Sequence, residues 1–356
     1  MTLSIRWLLA AVAGLGPAVF APSVSSDWKA AHDAGWSAYQ EGRLDEAEKL
    51  LRAAETQARA SDDKDPRLAT TRDHLAWVLC AEGKAQEAEP LAKWALAWRE
   101  RTLGGEHADV MRSLNTLACL YDAQGKTEQA RPLYLRTLTL AVKLKGPDHP
   151  SVAAILDNLA AISHLENKLE EAEGYYKRAL AIREKDPEGE PADLAPTLFN
   201  LATLYFDQGK LADAEPLHKR ALAIRENALG ADHPDVAVSL VALATLNTQQ
   251  GKAGQAEPLL RRALTIFETS LGADHPDVAA CLCKMAQVRV ALDQFPEALN
   301  CCKKAVAIYE KIGDSEAPRM AQALDEYAAL LKRTGRSSEA ATLEAKATAL
   351  RAKSKR

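Results

Sequence analysis

With 356 residues, 47% of them hydrophobic and 26% charged, the chain has the composition of a folded protein, and disorder over most of its length is excluded. Its 45 basic residues stand against 49 acidic ones, a formal net charge of −4, and without a basic excess a nucleic-acid partner is disfavoured. The length suits two or three ordinary domains or one extended array, and composition does not choose between them.

In chain order, the first element reads as an export segment. Met1 to Arg6 carries one positive charge, Trp7 to Ala21 is an unbroken run of apolar or small residues, and Pro22-Ser23-Val24-Ser25-Ser26 follows. That order is the layout of a secretory signal. The apolar run falls short of the roughly 20 residues that cross a bilayer as a helix, and Gly14, Gly16 and Pro17 weaken it further. The expectation over residues 1–21 is a signal peptide or a signal anchor, which makes the chain exported, periplasmic or extracytoplasmic. Val19 and Ala21 suit cleavage after Ala21 and Pro22 opposes it, so membrane contact is expected only through residues 1–21 if they stay uncleaved. Residues 22–27 form a short linker.

From Trp28 to residue 350 one pattern recurs. The segments Leu117 to Lys126 and Leu201 to Lys210 match closely, two periods of 42 residues apart. Stepping by 42 from Gly83 reaches Gly125, Asn167, Gly209, Gly251, Asp293 and Gly335, and Gly42 lies 41 residues before Gly83. Gly, Asn and Asp tolerate positive φ, so each position marks a turn between a first and a second helix. Eight helix pairs are predicted. In the fifth, Leu198, Leu201, Ala202 and Tyr205 stripe the first helix, and Ala214, Leu217, Ala221 and Ile224 stripe the second. Ala202 and Ala214, with Ala244 and Ala256 as equivalents, mark where paired helices approach most closely. A lone hairpin cannot bury such faces, so the pairs must stack.

Between pairs recur Gly146-Pro147-Asp148-His149-Pro150, Gly230-Ala231-Asp232-His233-Pro234 and Gly272-Ala273-Asp274-His275-Pro276, with Gly105-Glu106-His107 as a degenerate copy. Each Gly closes one helix, and Asp followed shortly by Pro opens the next. The fourth linker departs from this form with Lys185-Asp186-Pro187-Glu188-Gly189-Glu190-Pro191, and Pro196 falls in the next first turn, so a local change of geometry is predicted there. The eighth pair ends in Ala341 to Lys355, whose weak apolar stripe suits a solvent-facing cap. Residues 351–356 are a solvated basic tail carrying Arg351, Lys353, Lys355 and Arg356.

The stretch Asn200 to Asp235, with Gln208-Gly209-Lys210, Ala214-Glu215-Pro216-Leu217, Lys219 to Arg225 and Gly230-Ala231-Asp232-His233-Pro234, resembles the 42-residue tetratricopeptide repeat of kinesin light chains and their bacterial relatives. The resemblance implies an all-α fold, a right-handed α-solenoid of about eight tetratricopeptide-like helix-turn-helix repeats. It also implies a non-enzymatic protein-protein interaction scaffold that binds a peptide or protein partner on the concave face. The competing reading is a self-associating structural component of the cell envelope.

In that family the first helices line the concave face, and residues outside the packing stripe carry binding. Residue by residue this points to Trp36, Tyr39, Asp73, Trp77, Asn115, Asp122, Asp157, Phe199 and Phe206. Trp36, Trp77, Phe199 and Phe206 lead, since groove aromatics anchor peptides; the bland reading is that these rings fill contacts between neighbouring repeats. Kinesin light chains would place asparagine at Asn158 and Asn200, whereas His74, Thr116, Ala242, Lys284 and Glu326 stand at that position elsewhere, so their peptide specificity is not carried over.

No chemistry is expected. His107, His149, His233 and His275 occupy equivalent linker positions, too far apart to share one metal ion, and read as locally bonded helix-start residues. His32, His74, His164 and His218 show no pairing logic. The cysteines Cys80, Cys119, Cys281, Cys283, Cys301 and Cys302 lack zinc-site spacing and read as small buried thiols, although one bond between the two helices of the seventh pair is open to an exported chain. No phosphate loop, nucleophile elbow or dinucleotide fingerprint appears. The expectation is therefore no enzyme, no metal and no cofactor.

Overall fold

Each turn marked by the 42-residue step is built on a residue in the left-handed region. Gly42, Gly83, Gly125, Gly209, Gly251 and Gly335 have φ between 69° and 79°, and Asn167 and Asp293, the two substitutes, sit at 59° and 58°. A left-handed residue ends one helix and turns the chain back. Around these turns the structure, a computed structural model describing residues 26–61 and 65–353, folds into sixteen α-helices, with no strand among the described residues. The expected export segment, most of linker 22–27 and the end of the basic tail lie outside them.

The helices pair as eight hairpins, and the hairpins fall into two compact units, Met1–Gly189 and Glu190–Arg356. The first holds α1 (Ser26–Gln40), α2 (Leu44–Ser61), α3 (Pro66–Ala81), α4 (Ala85–Leu103), α5 (Ala108–Ala123), α6 (Thr127–Lys145), α7 (Pro150–Leu165) and α8 (Leu169–Lys185). The second holds α9 (Leu194–Asp207), α10 (Leu211–Leu229), α11 (Pro234–Gln249), α12 (Ala253–Leu271), α13 (Pro276–Ala291), α14 (Phe295–Ile312), α15 (Ala317–Arg333) and α16 (Ser337–Lys353). The division falls in the irregular fourth linker, where Pro191–Asp193 forms a 3-10 turn ahead of α9. Within each unit every helix packs on the next in chain order.

Alanine sets the closeness of each pair. Ala76 and Ala88, Ala118 and Ala130, Ala202 and Ala214, and Ala244 and Ala256 are all fully buried at the crossings, and a larger side chain at any of them would push the helices apart. In the first hairpin Gly35 takes that role further, since a Cβ there would lie 2.9 Å from Leu51 Cγ and 3.2 Å from Leu50 Cβ.

Helix starts differ from expectation in one respect. The capping residue is the linker histidine, and Asp148, Asp232 and Asp274 lie one residue too early. In His107, His149, His233 and His275, ring Nδ1 accepts the backbone N–H two residues on, at 3.1 to 3.2 Å. Three of these histidines precede a proline at the first helical position, where no N–H needs a partner. Nδ1 can accept only in the neutral ring with its proton on Nε2.

Candidate partner-binding surface

In the second unit the first helices α9, α11 and α13 leave a groove between them of about 270 Å³. Phe206 of α9 forms one wall, Thr245, Thr248 and Gln249 of α11 the middle, and Lys284, Gln287 and Val288 of α13 the other wall, with Leu260 of α12 beneath. These positions follow from the repeat: three and four residues separate neighbours on one helix face, and 42 residues separate equivalents in successive hairpins. Lys284 is half-buried and has no ion pair or hydrogen bond among the described residues. Thr245 and Thr248 donate their hydroxyl protons to Val241 O and Ala244 O at 2.8 and 2.7 Å and are left as acceptors. Beside Phe206 and Val288 the ammonium and two primary amides can therefore meet the oxygens of a peptide, the hydroxyls can accept a peptide N–H, and the ring can meet one apolar side chain.

In the first unit the same face begins with stacked rings. Centroid distances run 4.9 Å from Trp28 to His32, 4.8 Å to His74, 4.1 Å on to Trp36 and 5.0 Å to Tyr39. The Arg67 guanidinium lies 5.6 Å from the Trp28 ring and closes that end. Burial pushes both imidazoles down, His74 well below the ordinary range, so both rings are neutral at pH 7. Trp36 and Tyr39 are half-buried and present the open end of the stack.

Most of the remaining sequence-predicted residues are buried or engaged by neighbouring side chains. Asp73 is buried and paired with Arg99, whose guanidinium also donates to Ser113 Oγ at 2.7 Å, Asp109 O at 3.2 Å and Thr70 Oγ1 at 3.2 Å. Burial raises the Asp73 carboxyl, and Arg99 and Ser113 draw it back only in part. Asp157 pairs in the same way with Arg183. Phe199 carries the Arg225 guanidinium 4.7 Å from its ring and meets His218 edge-on at 5.1 Å. Trp77 is buried, with its indole N–H donating to Thr116 Oγ1 at 3.1 Å. Asn115, Asp122 and Asn158 are buried as well, and Asn200 is half-buried. Of the leading aromatics, Phe206 lines the groove and Trp36 ends the ring stack.

The polar groove residues Thr245, Thr248, Gln249 and Gln287 carry no motif of their own, and Lys284 stands out in the sequence only as a departure from the asparagine position. The signal was present. A 42-residue step from Phe206 lands on Thr248, and one from Thr245 lands on Gln287.

No catalytic constellation accompanies these surfaces. Among the described residues no group of three or more His, Cys, Asp or Glu is placed to hold a metal ion, and no helix is long and apolar enough to cross a membrane. All six cysteines are free, and burial pushes the thiols of Cys119, Cys281 and Cys302 up to about 12. They are thiols at neutral pH, poorly suited to nucleophilic work.

The sequence profile of the tetratricopeptide repeat matches residues 30–100, 79–141, 123–185, 193–269, 248–311 and 277–353. The chain belongs to the tetratricopeptide repeat family. Solved structures agree on the fold. BtubC (BKLC) from P. vanneervenii is 21% identical with a TM-score of 0.54, over 65% of this chain and 90% of that one. A tetratricopeptide repeat protein from Parabacteroides merdae is 19% identical with a TM-score of 0.53, over 80% and 94%. Nearly identical TPR-like repeats of kinesin light chain type from Podosopora anserina are 25% identical with a TM-score of 0.50, over 58% and 97%. No curated protein matches the chain. Tetratricopeptide arrays are scaffolds for protein-protein interaction and generally non-catalytic.

Proposed function

We propose that this tetratricopeptide array holds a protein partner through an extended peptide segment laid along its first helices, anchored in the second-unit groove. The observation that carries the reading is the groove itself, where the unpaired Lys284 stands among amides and hydroxyls beside Phe206 and Val288. A peptide supplies what those groups lack: carbonyl or carboxylate oxygens for the ammonium and amides, and an apolar side chain for the ring. Selection from a displayed random-peptide library tests it. Peptides selected on the wild-type chain should bind at least about tenfold more weakly to Phe206→Ala and to Lys284→Glu, the loss expected when one anchor is truncated. Leu135→Lys, on the exposed outer side of α6, should bind as wild type. Equal affinity for all four chains would end the proposal.

Export is part of the same reading and rests on the sequence of residues 1–21 alone. Terminal mass spectrometry of protein from periplasmic and cytoplasmic fractions decides it, and an intact Met1 on soluble cytoplasmic protein would overturn it.

A further inference from the structure

Asp122, near the end of α5 in the first unit, occupies a distinctive place. It stands 84 and 126 residues before Phe206 and Thr248, so its register is that of two residues lining the second-unit groove. Yet it is only 3% exposed, and its Oδ2 is fully buried without a hydrogen-bond partner. Asp73 and Asp157 are buried too, but each has its arginine. Asp122 has none.

The groups that face it are uncharged. Cys119 lies on its own helix, Tyr134 on α6 and Tyr176 on α8, all three buried and pushed up in pKa, each in part by Asp122 itself. Cys80 of α3 belongs to the same cluster beside Cys119 and Tyr134, and Asn158 of α7 lies 4.0 Å from the Cys119 sulfur. His164 of α7 holds the equivalent position one repeat on. Of the charged groups of α4, Glu89 accepts from the hydroxyl of the neighbouring Tyr121 at 3.3 Å and Lys93 lies 5.8 Å from that ring, while Glu87, Arg99 and Glu100 pair with Arg52, Asp73 and Arg136. Lys126, in the turn before α6, lies 5.6 Å from the Tyr121 ring. Loss of water with no compensating cation drives the Asp122 carboxyl up to about 6.

We infer that Asp122 is the counter-charge for a basic side chain, lysine or arginine, of the peptide held along the first helices of this unit. The inference rests on the proposed function for the peptide, and on Asp122 alone for the charge. A charged N–H donor would pair with a carboxylate that is already desolvated and held by its packing, where a charge-assisted hydrogen bond is strongest. A metal ion is the poorer occupant, since a lone carboxylate supplies one of the several oxygen or nitrogen ligands it needs.

Carboxyl-labelled NMR on the full chain is the test, with acetyl-Ala-Lys-Ala-amide as the probe and its norleucine analogue as the neutral control. The lysine peptide should lower the titration midpoint of Asp122 and leave the exposed Asp45 where it is; the norleucine peptide should move neither. Because the carboxyl must be ionised to bind, affinity should fall by about tenfold between pH 7.5 and pH 5. Asp122→Asn, nearly isosteric, should bind both peptides equally. An Asp122 that responds no more than Asp45 overturns the inference. Lys284→Glu separates it from the proposed function: that variant should lose library peptides anchored in the second-unit groove while Asp122 answers the lysine peptide as before.

Discussion

Replacing Asp73 by alanine tests how the hairpins are locked together. Arg99 is 2% exposed, and its guanidinium joins Asp73 of its own hairpin to Ser113 Oγ and Asp109 O of the next. Without the carboxylate those neutral acceptors remain, and a buried cation is left without its counter-charge, which costs about 3–5 kcal/mol. The same register supplies a control. Asp325 and Arg351 are also 26 residues apart and paired, but their side chains are 42% and 51% exposed, and an exposed pair contributes about 0–1 kcal/mol. Asp73→Ala should therefore destabilise the chain several-fold more than Asp325→Ala, and Asp73→Leu combined with Arg99→Met should recover most of the loss. Repeat arrays need not unfold in one step, so urea denaturation followed by tryptophan fluorescence should be paired with hydrogen exchange resolved by helix. Equal losses from Asp73→Ala and Asp325→Ala would refute the argument, because burial would then have no bearing on the worth of the pair.

Three further outcomes follow from particular groups. Asp122 has its carboxyl raised to about 6, above the ordinary value of about 3.9; the folded state therefore resists ionisation, and stability falls as pH rises from about 4 to about 6. Asp122→Asn should gain up to about 3 kcal/mol at pH 7.5 and almost nothing at pH 4, read by denaturation at both pH values. His149 caps α7 through neutral Nδ1, and burial followed by Lys145 pushes its pKa down, so its contribution is present above about 6.5 and fades on acidification. His149→Ala should cost about 1 kcal/mol at pH 8 and less at pH 5 by the same measurement. Gly174 lies inside α8 with nothing near its missing Cβ, whereas Gly35 has Leu51 at 2.9 Å; Gly174→Ala should stabilise by about 0.5–1 kcal/mol, and Gly35→Ala should destabilise by about 1–3 kcal/mol, compared as melting temperatures.

The hairpins were legible because their signals are local. A left-handed residue at each turn is demanded by the backbone, and Asn167 and Asp293 were readable as substitutes for Gly from their place in the step. The linker histidines are readable as local helix-start groups, although the spacing points to aspartate as the cap. Proline at the first helical position decides that point, since the residue directly before it is the cap, and that residue is His149, His233 or His275. The burial of the first-helix residues is less legible. A residue outside one apolar stripe is exposed on a helix packed on one side only. Here a first helix touches its own partner and its neighbours in the stack, and α5 is buried over Val110, Met111 and every residue from Ser113 to Asp122. Asp73 and Asp157 lie off the stripe because they face an arginine of the second helix. The recurrence of aspartate and arginine 26 residues apart, at Asp73 and Arg99, Asp157 and Arg183, and Asp325 and Arg351, carried that information in the sequence.

On the proposed function, packing and recognition fall at different positions of each repeat, and this lets one architecture carry varied surfaces. The alanines at the crossings hardly change from hairpin to hairpin, while the position of Asp122 reads Tyr39, Cys80, Asp122 and His164 in the first unit and Phe206, Thr248, Val290 and Lys332 in the second. A hairpin owes its stability to itself and its immediate neighbours, so a change at that position alters one stretch of surface without propagating along the stack. Asp122 is the instructive exception. There the proposed recognising group is also buried, and ionising it weakens the fold. Stability and cation binding at this position should therefore move in opposite directions, with Asp122→Asn gaining the first and losing the second; a substitution that left both unchanged would show the carboxyl to be solvated after all.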